Sequence, residues 1–85
     1  MTERLSNFKV TDRQSFIEFI ELLHEDYRKN LKTWQNKNLD NFLDALGRYA
    51  NDIQAYYDNT NKNINADHPS WQVFADILKG SKIYE

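Results

Sequence analysis

Along the first third of the chain, Phe16, Phe19, Ile20, Leu23, Tyr27 and Leu31 recur at helical spacing. Projected at about 100° per residue they fall within one arc of about 120°, with Glu18, Glu21, Glu25 and Lys29 opposite. Thr11 and Gln14 have the T-x-x-Q spacing of a capping box, so the pattern predicts a helix over residues 12–31. Leu22 projects off the apolar arc and is expected to meet Leu5 or Phe8 of an N-terminal segment, residues 1–10. Within that segment "FKV" reads as a short extended piece.

A second period follows the polar connection "KTWQNKN". Asn38 is placed to cap a helix over 39–57. Leu39, Phe42, Leu43, Leu46, Ala50, Ile53 and Tyr57 predict its buried face, and Asp40, Asp44, Arg48 and Asp52 its exposed one. Tyr49 and Tyr56 share a shoulder between the two faces, and Gly47 is expected to admit a close neighbour. After the Asn- and Asp-rich loop "DNTNKNINADH", Pro69 is expected in the first turn of a third helix over 69–84, with Asp67 or Ser70 as its cap. The apolar positions of that helix, from Trp71 to Tyr84, cover about 200° of its circumference. Only a helix with neighbours on two sides buries so wide an arc. The expected fold is therefore all-α, a single domain over 1–85 in which three main helices form a compact bundle with the third at the centre.

Composition and charge narrow the functional classes. The 85 residues hold two glycines, one proline and no cysteine, which excludes a disulfide framework, a thiolate metal site and a cysteine nucleophile. Residues 1–10 show no apolar run of a secretory signal, and no stretch approaches the roughly 18 apolar residues of a membrane span. A cytoplasmic location without membrane contact is expected. The net charge is −2 and both signs are mixed along the chain. The one basic cluster, Arg28, Lys29 and Lys32, lies where cations favour a helix end, so a nucleic-acid partner is not expected.

Catalytic motifs are wanting. His24-Glu25 is followed four residues later by Arg28, which breaks the H-E-x-x-H zinc pattern. An EF-hand register from Asp58 would put Lys62 at a ligand position, Asn63 where glycine is needed and Pro69 at the bidentate acid. With Gly47 and Gly80 alone there is no phosphate-binding glycine loop. Asp67, His68 and Ser70 offer the residue types of a triad, but no glycine-rich elbow accompanies them, and a helix cap explains them better. No catalytic residue, metal ligand or cofactor is assigned. Trp34 in a polar connection, and Tyr49 and Tyr56 on a helix shoulder, are placed as partner anchors beside Asp44 and Asp52. At the last position of the sequence, Glu85 would sit at the negative pole of the third helix, so Arg13, Arg28 or Arg48 is expected to hold it.

The stretches "TWQNKNLDNFLDALGRYANDIQAYYDN" and "PSWQVFADILKGSKIYE" carry a wider pattern. A turn with Trp34 and Asn36 leads into Leu39, Phe42 and Leu43. Asp52 and the Tyr56-Tyr57 pair follow, then Pro69-Ser70-Trp71, Phe74-Ala75, Leu78 and a closing Tyr84-Glu85. This resembles an uncharacterised family of small bacterial helical domains of unknown function, over Asp12 to Glu85. Gln35 stands where an acid is common in that pattern, and Gly80-Ser81 where alanines are common. The resemblance implies a compact helical domain and carries no activity. By analogy of scale, the expectation is a non-enzymatic protein-binding module, most concretely an immunity-like inhibitor of a bacterial toxin with a basic partner surface. Two alternatives stand beside it: a small hydrolase or ligand-binding domain using His24, His68 and nearby carboxylates, and a structural domain that self-associates as a homo-oligomer.

Overall fold

Asp12, not Thr11, begins the first long helix. Its carboxylate accepts the Ser15 N–H at 2.8 Å while the Ser15 hydroxyl accepts the Asp12 N–H at 3.1 Å, a reciprocal capping box. The bonds from Ser15, main-chain first, hold the Asp12 carboxyl below its ordinary pKa. The computed structural model of the protein describes residues 2–85. In chain order it contains α1 (Thr2–Asn7), α2 (Arg13–Lys29), a 3₁₀ turn (Leu31–Thr33), α3 (Leu39–Asn59) and α4 (Trp71–Ser81), with no strand among the described residues. The N-terminal segment thus differs from the extended piece expected. It forms a short helix, followed by an irregular stretch that buries Val10.

The all-α bundle is organised as the wide arc required, with α4 central and packed against both α2 and α3. On its α2 side, Leu5, Val10, Phe19, Leu23, Trp34 and Ala75 form one buried cluster, with Leu22 and Phe8 against it. On its α3 side, Ile53, Tyr57 and Val73 form a second, joined by Tyr49, Ile64, Ala66 and Ile77. A chain of hydrogen bonds ties the two sides together through α4. The Val10 N–H donates to Gln72 Oε1 (2.7 Å), Gln72 Nε2 to Asp76 Oδ1 (2.8 Å), and the Tyr57 hydroxyl to Asp76 Oδ2 (2.7 Å).

Asn38 caps α3 as expected, its side chain accepting the Asn41 N–H at 2.8 Å. The buried face of α3 is rotated from the one expected. Ala45, Ile53 and Tyr57 are buried and Tyr49 half-buried, a ridge in steps of four, whereas Leu43 and Ala50 face outward. That ridge lies along α4, and small Ala45 lets the two backbones approach. Ser70, not Pro69, sets the start of α4, accepting the Val73 N–H at 3.1 Å. The helix stops at Ser81, three residues short of the expected end, because Lys82 turns back into the bundle. Trp71 and Phe74, both expected on the buried arc, remain partly exposed beside Phe16.

Loop 60–70 folds back on α3 through one side chain: Gln54 Nε2 donates to the Ile64 carbonyl (2.9 Å) and Gln54 Oε1 accepts the Ala66 N–H (2.7 Å). No described helix is long and apolar enough to cross a membrane.

Candidate functional site

The end of α4 is fixed by a buried ion pair that the sequence reading missed. Asp26 Oδ2 accepts from Lys82 Nζ at 2.7 Å and from Trp34 Nε1 at 2.8 Å, and Oδ1 accepts from Asn30 Nδ2 at 2.9 Å. Asp26 is 2% and Lys82 7% exposed, so the desolvation cost of several kcal/mol per ion must be met by this saturated set of partners. Burial pushes the Asp26 carboxyl up; the bonds from Lys82, Trp34 and Asn30 and the Lys82 charge outweigh it and hold the group below its ordinary value. A signal was present in the sequence. Asp26 stands three residues after Leu23 and seven after Phe19, an acid on the apolar arc of α2.

The same latch aligns the connection between α2 and α3 with the residues after α4. The Lys82 carbonyl accepts from Gln35 N–H (2.9 Å) and Asn36 N–H (3.1 Å), and Asn36 Nδ2 donates to the carbonyls of Ser81 (2.8 Å) and Tyr84 (2.9 Å). Tyr84 is thereby held against α3. Its ring centre lies 4.9 Å from that of Tyr49, and its hydroxyl donates to the Asp52 carboxylate. Arg48 sits 5.5 Å over the Tyr84 ring, donates from Nε to Asp44 Oδ2 at 3.0 Å and from Nη1 to the main-chain oxygen of Glu85 at 2.6 Å. Of the three arginines expected to hold Glu85, Arg48 does so, through the main chain.

These contacts wall an open groove of about 770 Å³ lined by Tyr49, Asp52, Ala55, Tyr56, Asn59, Gly80, Ile83, Tyr84 and Glu85. Gly80 makes the back wall: a Cβ there would stand 2.2 Å from Tyr49 Cε2, so only glycine lets the tyrosine lie on α4. Gly47, expected to serve such a contact, has nothing within 4 Å of its Cβ position. Burial, with Tyr56, Asp76 and Tyr84 nearby, pushes the Tyr49 hydroxyl up to about 12. The bond to Asp52 raises Tyr84 as well. The groove thus combines the phenols of Tyr49, Tyr56 and Tyr84 with the carboxyl groups of Asp52 and Glu85. That set attracts a cation by aromatic faces and negative charge.

Three of the five residues placed as partner anchors, Tyr49, Asp52 and Tyr56, meet in this groove. Asp44 lies outside its lining and reaches it only through Arg48. Trp34 corrects the expectation of an exposed anchor. It is 5% exposed, packed between Tyr27 and Phe42, because its indole N–H is the donor Asp26 needs.

A second groove of about 340 Å³ opens between α2 and α3, its walls Ile20, Leu23, His24, Tyr27, Leu39 and Phe42 and its floor Trp34. His24 lines it without any carboxylate, and His68 lines neither groove. The described residues contain no group of three or more His, Asp or Glu side chains arranged to hold a metal ion.

A central helix clasped by two others, with its end latched by a buried ion pair, defines a small all-α domain. Residues 12–85 match the model of DUF7660, a family of unknown function, and the chain belongs to that family. The match begins at the residue that caps α2 and leaves α1 outside it. No curated protein and no solved structure matches the chain.

Proposed function

We propose that this protein is a non-enzymatic protein-binding module of the bacterial cytoplasm, most concretely an immunity-like inhibitor whose tyrosine groove receives a basic surface of a toxin. The observation that carries this reading is the convergence of Tyr49, Asp52, Tyr56 and Tyr84 on one open groove. Two exposed apolar groups stand at its rim, Tyr56 at 44% and Ile83 at 53% exposure. Aromatic and aliphatic anchors beside carboxylates are the composition that binds lysine and arginine side chains of a partner. The molecule already uses this chemistry internally, since the Arg48 guanidinium lies over Tyr84. Asp52 and Glu85 in the groove lining supply negative charge that would speed encounter with a basic surface.

The test is fluorescence anisotropy with two labelled peptides of equal length, one rich in arginine and lysine, one rich in aspartate and glutamate. The basic peptide should bind and the acidic one should not, with affinity falling as salt approaches about 0.15 M. Tyr56→Ala and Asp52→Asn should each weaken binding about tenfold while leaving the melting temperature nearly unchanged. Equal binding of both peptides, or indifference to both substitutions, would refute the reading.

A further inference from the structure

The α2–α3 face carries a protrusion and a hollow side by side. Leu39 is 72% and Leu43 54% exposed, one helical turn apart on α3. Leu39 forms the rim of the hollow made with Ile20, Tyr27, Trp34 and Phe42, and Leu43 continues the apolar ridge away from it. Because α2 and α3 are both held mainly by α4, the hollow between their outer faces is left open. Large exposed apolar groups that adjoin an apolar hollow mark an interaction surface.

We propose that this face is a two-fold interface between two copies of the chain, with Leu39 and Leu43 of each copy seated in the hollow of the other. A two-fold axis passing between protrusion and hollow matches both pairs at once and closes the assembly at two copies. The charges select a second copy over an unrelated partner. The hollow is lined by Lys37, whereas Asp40 follows Leu39 in the protrusion. The surface is thus complementary to itself in sign as well as in shape. Asp44 is engaged by Arg48, but Asp40 and Lys37 take part in no ion pair among the described residues, which leaves them for each other across the axis. A net charge of −2 per chain offers little repulsion to pairing. This inference does not depend on the tyrosine groove, which lies at the other end of α3.

Analytical ultracentrifugation of the full chain from about 10 µM to about 1 mM should show a concentration-dependent rise toward twice the chain mass. Leu39→Asp should abolish the rise without harming the fold. Leu39 is the first residue of α3 and mostly exposed, and an acid there is favoured by the helix dipole. A thermal melt of that variant checks the point. Lys37→Glu and Asp40→Lys should each weaken pairing about tenfold, since like charges then face each other twice. An equimolar mixture of those two variants should pair again, because Glu meets Lys and Asp meets Lys in the mixed assembly, an outcome no effect within one chain produces. The proposal is overturned if the chain stays monomeric throughout, if Leu39→Asp pairs as well as the unaltered chain, or if the mixture pairs no better than its components. Persistent monomer with retained binding of an amphipathic peptide would assign the hollow to a different protein.

Discussion

The two sides of α4 solve one problem in opposite ways. On the α2 side, the chain after the helix is anchored by a buried charge pair, Lys82 to Asp26, saturated by Trp34 and Asn30. On the α3 side, the anchors are neutral hydroxyls on carboxylates, Tyr57 to Asp76 and Tyr84 to Asp52, backed by a tyrosine ring lying on glycine. A buried ion pair contributes little net stability when intact but costs much when half is removed. Losing a hydroxyl bond costs less here, because Asp76 is half-buried and keeps its bond from Gln72, and Asp52 is exposed to water. The α2 side should thus be brittle toward single substitutions and the α3 side more tolerant.

The largest contrast is expected between Asp26→Ala and Tyr57→Phe. The first strands the Lys82 ammonium in the core and should cost about 3–5 kcal/mol. The second removes one hydroxyl bond to the Asp76 carboxylate and should cost about 1.5–3 kcal/mol. Urea unfolding of both variants measures the difference, and equal losses would erase the distinction between the two sides. Next comes Gly80→Ala. The added methyl meets the Tyr49 ring and should cost about 1–3 kcal/mol, with most of the loss recovered in a Tyr49→Leu background. Failure of that recovery would mean that Gly80 matters for some reason other than the ring upon it.

The two sides also separate by pH. Asp26 titrates in the folded chain below its ordinary 3.8, so its contribution is complete above pH 3.8 and is lost as pH falls through the folded value. Tyr49 moves the other way, from 10.0 to about 12, and burial raises Tyr57 further. Their contribution is complete below pH 10 and is lost as pH rises through the folded values. Melting temperatures across the pH range should show Asp26→Asn flattening the acid limb and Tyr49→Phe the alkaline limb.

Helix existence, the Asn38 cap and the central position of α4 were legible because each rests on local chemistry or on the width of an apolar arc. The facing of α3 was not. Leu39 and Leu43 fit a buried face by hydrophobicity, and only the tertiary arrangement, which brings α4 along the ridge of Ala45, Tyr49, Ile53 and Tyr57, leaves them outside. Trp34 was misplaced for a related reason. Its polar surroundings in sequence said nothing of Asp26, eight residues away, which draws the indole inward. The tyrosine groove was half legible: Tyr49, Asp52 and Tyr56 share a helix shoulder, but Tyr84 and Ile83 join them only because Asn36 and Lys82 hold the following chain in place.

In the proposed function the tyrosine groove, and no other surface, receives a basic partner. The direct test is a ¹⁵N-resolved NMR titration of the full chain with the arginine- and lysine-rich peptide. Shift changes should concentrate on Tyr49, Asp52, Ala55, Tyr56 and Ile83 and vanish in Asp52→Asn combined with Tyr56→Ala. Changes centred instead on Ile20, His24 and Leu39, or scattered over the acidic residues of every helix, would contradict it.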